Sequence, residues 1–390
     1  MTGSHLVLRP ATTKEVHYIH DLNSSVWAGG LTVEMYHARE RTLASIPLTR
    51  NGGWSAWVLV NSEELWEVLS SCETIKKDAF VSRLPVNGGV ASSVKQVTAH
   101  CVGNVFTPVE HRGKGYAGIM LQLLAETLRD GNADGFNVLY SDIGKVCFPS
   151  GWWLVGWMAR DADADRKQKF YASFGWLPHR STHLEFPAIE EVCAPIAGVK
   201  PLRSTDVPSL CVKDVAALTE LLSRPHTSAN TRIAFVPDYQ TMEWHWTREE
   251  FVAPVLRKHM DIEPEIKGAI AADGKRWFLW NRDFGKKSSQ LFIIRYVNLS
   301  RSLSDVEEEN HVSKLFRAAG IEAHKWGLKK VTMWNPDEIC IRAARRVAGP
   351  AARVVGRETD SICSVMMHPK QQGSGPEDVD WVANEKYAWC

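Results

Sequence analysis

Apolar residues recur at helical spacing in two segments, one in each half of the chain. They are Ala117, Met120, Leu121, Leu124 and Leu128 in the first segment, and Val312, Phe316, Ala319, Ala323 and Trp326 in the second. Steps of three and four residues place such positions on one face of a helix. The pattern therefore predicts amphipathic helices from Tyr116 to about Asp130 and from Asp305 to Trp326.

Strand-like runs flank both predicted helices. They precede the helices at Val102–Val109 and Leu291–Val297 and follow them at Phe136–Tyr140 and Lys330–Trp334. Each half also opens with a short strand and a turn, at Leu6–Thr12 and Val199–Asp206. We interpret the chain as an α/β protein of two related halves joined by a linker from Pro187 to Pro201, although βαβ units resemble one another in unrelated α/β proteins too.

Composition and charge narrow the class of protein. With 390 residues, 44% hydrophobic and 23% charged, the chain is long enough for two globular domains. Its formal net charge of +1 leaves no excess basic surface for nucleic acid, so we expect any anionic ligand to be held locally. Eight cysteines without metal-type or disulfide-type spacing predict a reduced compartment and no metal site. Without a signal-like start or a long apolar run, we expect a cytoplasmic protein with no membrane partner.

The segment from Val105 to Ala117 is a strand that runs into a glycine-containing loop and opens the first predicted helix. Gly113 and Gly115 remove side chains where backbone N–H groups at a helix N-terminus can converge on a diphosphate. Pro108 cannot donate to a strand ladder, so pairing should end there and open a slot beside the strand for an extended ligand. The alternative is a glycine-rich turn with solvated basic residues.

Residues Arg112 to Ala117 match the Q/R-x-x-G-x-G/A signature of the GCN5-related N-acetyltransferase (GNAT) superfamily. Wider strings resemble fungal lysine 6-N-acetyltransferases, at Ser71–Thr74, Val105–Pro108, Leu139–Gly144, Phe170–Trp176 and Asn384–Trp389. The resemblance implies an α/β GNAT fold, a mixed central sheet with flanking helices, followed by a second, degenerate acetyltransferase-like domain. We expect residues 1–190 to bind acetyl-CoA and residues 191–390 to form one wall of the acceptor site.

The resemblance also assigns residues to the cosubstrate. It implies that the backbone of Phe106, Thr107 and Val109 pairs with the pantetheine arm of acetyl-CoA. It implies that the diphosphate is held by Arg112, Gly113, Lys114, Gly115, Tyr116 and Ala117. Tyr171 falls on the tyrosine of the superfamily's YxxxGF string, whose hydroxyl protonates the departing thiolate; the alternative is a core aromatic residue.

The acceptor amine must lose a proton before it attacks a thioester, because a lysine ε-amine has an ordinary pKa of about 10.4. Glu73 is the first candidate for the base, and its alternative is a solvated carboxylate beside Lys76 and Lys77. His100 is the second candidate, although a histidine there is more often a packed residue. Asp142 is a candidate for binding the substrate amine, or it caps the turn that follows it.

The second half carries no counterpart of the glycine loop. Its equivalent segment, Asn298–Glu309, contains no glycine and places four carboxylates at the start of a helix, where they would repel a diphosphate although they suit the helix dipole. Ser304 and Glu307 form a capping-box pattern there. We therefore expect this half not to bind CoA. The apolar tail from Asp378 to Cys390 should dock, against its own domain rather than against the N-terminal domain near the acceptor site.

A stretch from Lys145 to Gln168 interrupts the resemblance. It holds three tryptophans, Trp152, Trp153 and Trp157, and it is either a lid over the acetyl site or the product of a retained intron. We favour the second interpretation, under which the segment is dispensable for activity.

The sequence as a whole predicts transfer of acetyl from acetyl-CoA to the 6-amino group of free L-lysine, by direct transfer in a ternary complex. One alternative is a different amine acceptor, such as a protein lysine, a polyamine or an aminoglycoside. Another is a CoA-binding regulatory protein without turnover. The sequence leaves open whether the protein is a monomer or a homodimer.

Overall fold

The structure is a computed structural model that describes residues 6–83, 93–130, 132, 134–141, 170–179, 181–191, 195–225, 231–257, 264–285, 289–300, 304–357, 361–368 and 379–389. Its strands are β1 Leu6–Pro10, β2 Trp54–Asn61, β3 Ser70–Arg83, β4 Ser93–Phe106, β5 Phe136–Ser141, β6 Leu177–Pro178, β7 Thr182–Pro187, β8 Val199–Arg203, β9 Thr231–Phe235, β10 Ile266–Ala271, β11 Arg276–Asp283, β12 Gln290–Asn298, β13 Lys330–Trp334, β14 Arg353–Gly356, β15 Ile362–Met367 and β16 Val379–Trp381. Its helices are α1 Thr13–Trp27, α2 Val33–Ser45, α3 Tyr116–Arg129, α4 Val207–Ser223, α5 Tyr239–Leu256, α6 Asp305–Lys325 and α7 Glu338–Ala348.

Both helices predicted from the apolar spacing are confirmed. Helix α3 begins at Tyr116 and buries Met120, Leu121 and Leu124 against the strands, as the spacing requires. Helix α6 begins at Asp305, and the predicted capping box is present because Ser304 accepts from the Glu307 N–H while the Glu307 carboxylate accepts from Ser304. Among the described residues no helix has both the length and the apolar character needed to cross a membrane.

The strands form two mixed sheets with matching layouts. The first sheet has the order β1-β2-β3-β4-β5-β15-β6, with β9 also paired to β3 and β16 to β9. The second sheet has the order β14-β7-β13-β12-β11-β10-β8. In each sheet a helix connects one parallel pair, β4–α3–β5 in the first and β12–α6–β13 in the second. The chain thus has an α/β acetyltransferase-type fold followed by a second domain of the same layout.

The two sheets exchange strands: among the described strands, β7 of the first half lies in the second sheet, and β9, β15 and β16 of the second half lie in the first sheet. Strand β7 follows the first sheet in sequence but pairs with β13 and β14 of the second sheet. Strand β15, near the carboxyl end of the chain, lies between β5 and β6 of the first sheet. The strand pairing therefore crosses the division predicted at residue 190.

The predicted linker, Pro187 to Pro201, does not separate the two sheets. It joins β7 to β8, which both belong to the second sheet. The reason is that β7 turns Leu184 and Phe186, both almost fully buried, into the core of the second half. A pattern of alternating apolar residues predicts a strand but does not identify its partner.

Candidate functional site

A cavity of about 830 Å³ opens between the first sheet, helices α1 and α2, helix α5 and the last residues of the chain. The predicted site residues that line it are Glu73, Phe106, Thr107, Val109, Arg112, Gly113, Ala117 and Tyr171. Lys114, Gly115 and Tyr116 continue the same loop into α3 but are not among the lining residues, and neither is His100. Asp142 and the segment from Lys145 to Gln168 lie outside the described residues. The structure thus brings one candidate base, the candidate acid and most of the loop to a single cavity.

One edge of strand β4 faces this cavity. Its parallel pairing with β5 runs from Ala99 to Val102 and stops there, although β4 continues to Phe106. Gly103, Asn104 and Val105 therefore line the cavity beyond the point where the two strands separate. The backbone groups of an edge of this kind can pair with an extended ligand.

The loop after β4 is held in place by its own side chains. The Ser70 hydroxyl donates to the Phe106 carbonyl and lies 3.0 Å from the Thr107 hydroxyl. The Arg112 Nε donates to the Thr107 carbonyl at 3.1 Å, and its guanidinium lies 5.5 Å from the Phe106 ring centroid. Arg112 therefore fixes the shape of the loop in addition to adding positive charge.

The two loop glycines have the conformation of an anion-binding nest. Gly113 has φ +77° and Gly115 has φ +82°, a region that favours glycine. No atom lies within 4 Å of the position where a Cβ would stand on either residue. Gly115 is the N-cap of α3 and supplies no side chain to the first N–H groups of that helix. The N-terminus of α3 therefore has both the space and the donors for a phosphate group.

Tyr171 lies in the helical residues 170–173. Its ring is buried among the core residues that pack under α3 and also lines the cavity. The Phe174 and Trp176 N–H groups both donate to the Tyr171 carbonyl at 3.1 Å, and Gly175 turns the chain with φ +101°. These contacts fix the backbone from which the hydroxyl projects.

Glu73 is a buried carboxylate that lines the cavity. Its Oε2 accepts a hydrogen bond from the Trp54 indole N–H at 2.9 Å, and its Oε1 lies 3.6 Å from the His20 Nε2. Burial acts to raise the pKa of Glu73, but His20, Trp54 and Asn104 outweigh burial and hold that pKa below its ordinary value. Glu73 is therefore ionised at neutral pH and can attract an ammonium group.

His100 has different surroundings. It is paired across the sheet with Asn137 and is buried. Burial, together with the positive charge of Lys76 and the neighbouring His368, lowers the pKa of His100 to about 4. His100 is therefore neutral at pH 7. Its position away from the cavity lining does not favour the role of base.

The tail docks at the cavity, so the expectation that it packs only on its own domain is wrong. The buried Lys77 ammonium of β3 donates to the Ala388 carbonyl at 3.0 Å and to the Trp389 carbonyl at 3.2 Å. The His245 Nε2 of α5 bonds the Tyr387 carbonyl at 3.1 Å. Trp389 then lines the cavity beside Trp244. The physical reason is that a buried ammonium needs acceptors, and the tail carbonyls provide them.

Other cavity residues had no signal in the sequence. Trp54 lines the cavity and, together with His20, contacts Glu73, and Arg39 and Arg248 line the cavity from α2 and α5. They come from distant segments and carry no local motif. Only the packing of α5 against α2 brings Arg39 and Arg248 to one site.

Replacing His20 by Gln is expected to destabilise the protein more at pH 5.5 than at pH 8. Burial acts to lower the pKa of His20, but Glu73 outweighs burial and holds that pKa above its ordinary value of 6.5. Protonated His20 therefore stabilises the fold fully below pH 6.5, and this stabilisation is lost as the pH rises through the raised pKa. The contribution of Glu73 is present above its ordinary pKa of 4.5 and is lost at lower pH. We expect a loss of about 1 kcal/mol at pH 5.5 in urea unfolding.

The control for this prediction is His17→Gln, on the same helix but exposed. It should change the free energy of unfolding little at either pH. Equal destabilisation by His20→Gln at the two pH values would show that the His20–Glu73 ion pair does not contribute.

Comparisons with known proteins agree with this geometry. Residues 183–390 match the family model described as the LYC1 GNAT-like C-terminal domain. A protein named lysine acetyltransferase from Yarrowia lipolytica is 25% identical over 355 residues, which cover 80% of this chain and 79% of that protein. An uncharacterized protein of Saccharomyces cerevisiae is 23% identical over 95% of this chain and 94% of its own. A GCN5-related N-acetyltransferase from Kribbella flavida superposes with a TM-score of 0.51 at 13% identity, over 93% of this chain and 71% of that chain, and so shares the fold.

Proposed function

Because the chain belongs to the LYC1 GNAT-like family, and is therefore an acetyltransferase, we propose that it moves acetyl from acetyl-CoA to the 6-amino group of free L-lysine in a ternary complex. The observation that carries the proposal is that one cavity is lined both by Gly113 of the glycine loop before α3 and by the buried Glu73. The first feature suits a diphosphate and the second suits an amine. A relative named lysine acetyltransferase supports the choice of lysine.

The residues present fit acetyl-CoA. The space above Gly113 and Gly115 accepts the diphosphate at the N-terminus of α3. The free edge of β4, from Gly103 to Phe106, pairs with the pantetheine arm. Acetyl-CoA supplies an acetyl group activated as a thioester.

Two side chains serve as the proton acceptor and the proton donor of the reaction. The acceptor reacts as its free amine, the small fraction that has already lost one proton to solvent. Glu73 accepts a hydrogen bond from this amine and takes a second proton from it as the new C–N bond forms. The low pKa of Glu73 suits this order, because the nitrogen becomes far more acidic once its lone pair is shared. Tyr171 lines the same cavity and donates its hydroxyl proton to the departing thiolate as the C–S bond breaks. These roles follow the family resemblance.

The proposal is tested by acetyl-CoA-dependent thiol release with L-lysine, spermidine, a lysine-containing peptide and no acceptor. We expect release that depends on L-lysine, with 6-N-acetyl-lysine as the product by mass spectrometry. An equal or faster rate with spermidine or the peptide would assign a different amine. Acetyl-CoA binding without release for any acceptor would support a regulatory protein without turnover.

A further inference from the structure

The cavity contains two guanidinium groups in addition to Glu73. Arg39 comes from α2 in the first half of the chain and Arg248 from α5 in the second. Acetyl transfer to an amine uses neither group. Two arginines in one enclosed site need a reason, because enclosing like charges costs free energy.

The Arg39 side chain is fixed by contacts with Glu40 and Tyr36 of the same helix, α2. Its Nε and Nη2 both donate to the Glu40 Oε1, at 2.8 and 2.5 Å, and its guanidinium lies 4.6 Å from the Tyr36 ring centroid. Arg39 is almost fully buried. Glu40 therefore balances one of the two guanidinium charges.

Arg248 is not balanced in the same way. No carboxylate of the described residues lies within 4.0 Å of its nitrogens, and its guanidinium stands 5.8 Å from the Trp389 ring centroid. Burial and the nearby Arg39 hold the pKa of Arg248 below its ordinary value, although Asp283, Glu40 and Tyr36 act in the opposite direction. Among the described residues Arg248 therefore feels the charges of Asp283 and Glu40 at longer range but forms no direct ion pair.

Charged groups of both signs lie near Tyr36, which also lines the cavity. Arg39 stacks on the Tyr36 ring, and the His20 ring beside Glu73 lies 6.1 Å from the same ring. Apolar side chains line the same cavity, among them Leu43, Ile75 and Trp244. Because guanidinium groups, apolar side chains and a carboxylate line one cavity, a ligand that carries a carboxylate, an aliphatic chain and an amine complements it.

We propose that Arg248, assisted by Arg39, binds the α-carboxylate of the acceptor, which makes the acceptor a free amino acid with an amine at the end of its side chain. This inference rests on the proposed acetyl transfer at Glu73. It excludes polyamines, which have no carboxylate, and lysine within a polypeptide, whose carboxyl group is an amide. Planar guanidinium groups bind carboxylates through paired hydrogen bonds, which gives Arg248 the geometry for this selection.

The test compares L-lysine with cadaverine, which is lysine without its carboxylate, by calorimetric titration into the protein saturated with CoA. We expect L-lysine to bind about 10- to 100-fold more tightly, as expected for charge-assisted hydrogen bonds. Arg248→Met should remove most of that ratio, and Arg248→Lys should keep part of it. Arg41→Met, at an exposed position on α2, is the matched control and should keep the whole ratio. The thermal unfolding midpoint of each variant shows whether it is folded.

Because the titration measures binding without acetyl transfer, it can contradict the carboxylate site without contradicting the proposed function, and the reverse also holds. Equal affinity for L-lysine and cadaverine in the unaltered protein, or no L-lysine binding, overturns the carboxylate site. A folded Arg248→Met or Arg248→Lys variant with the full ratio overturns it as well. An absence of acetyl transfer despite selective L-lysine binding overturns the proposed function and leaves the carboxylate site in place.

Discussion

Gly115→Asp is expected to weaken acetyl-CoA binding by about 100-fold or more, the equivalent of losing two charge-assisted hydrogen bonds. The residue is the N-cap of α3, with φ +82° and open space where a side chain would project. An aspartate there places a carboxylate in the nest, where it repels the diphosphate and competes for the N–H groups that would bind it. Calorimetric titration with acetyl-CoA measures the loss.

Gly274→Asp is the matched control for this substitution. Gly274 lies in the turn between β10 and β11, has φ +67° and has no atom within 4 Å of a Cβ position. The two substitutions therefore introduce the same charge and similar backbone strain, but only one lies at the nest. Unchanged affinity in Gly115→Asp would show that the loop does not bind the diphosphate. An equal loss in both variants would assign the effect to strain.

Local sequence signals predicted the helices well. Helix α3 and helix α6 have apolar stripes, and strand β13 falls on the predicted residues Lys330–Trp334. These features depend on the order of neighbouring residues, which the sequence contains directly. Strand β4 ends at Phe106, three residues before the predicted limit, because the residues after Pro108 form a turn.

The strand exchange could not be predicted in the same way. Strand β7 has the alternating pattern of a half-buried strand and β15 is a continuously buried run, and nothing within either strand selects a sheet. Their partners are set by contacts far along the chain, such as β15 with β5. The tail posed the same difficulty, because its docking depends on Lys77, which is remote from it in sequence.

The candidate site likewise contains some residues that the sequence indicated and others that it did not. The glycine loop and Tyr171 lie in strings that resemble a family, so the sequence indicated them in advance. Arg39 and Arg248 were not indicated, because isolated arginines are expected on the surface. The role of His100 as a base stays a prediction. The sequence could not show that its ring is buried beside Asn137 and His368.

Tyr171→Phe is expected to lower kcat by about 10²- to 10⁴-fold, the usual contribution of a positioned acid. The phenylalanine ring fills the same site among Phe170, Trp176 and the residues under α3, so the fold should be retained. Acetyl-CoA affinity should change little, because the loop and the nest are untouched. Steady-state kinetics with L-lysine, together with calorimetric titration, measures both quantities.

The two interpretations of Tyr171, a proton donor or a core aromatic residue, predict different results for the Tyr171→Phe variant. A proton donor to the thiolate affects kcat and leaves the thermal unfolding midpoint almost unchanged, whereas a core residue whose hydroxyl only packs affects neither by much. Tyr239→Phe, at a half-buried tyrosine in the second half, is the control for loss of a hydroxyl group and should keep full activity. If kcat of Tyr171→Phe equals that of the control, Tyr171 is a packing residue and the thiolate takes its proton from another group or from water. If kcat falls while acetyl-CoA affinity holds, the hydroxyl acts in the chemical step, since only interactions that strengthen on the way to the transition state change kcat alone.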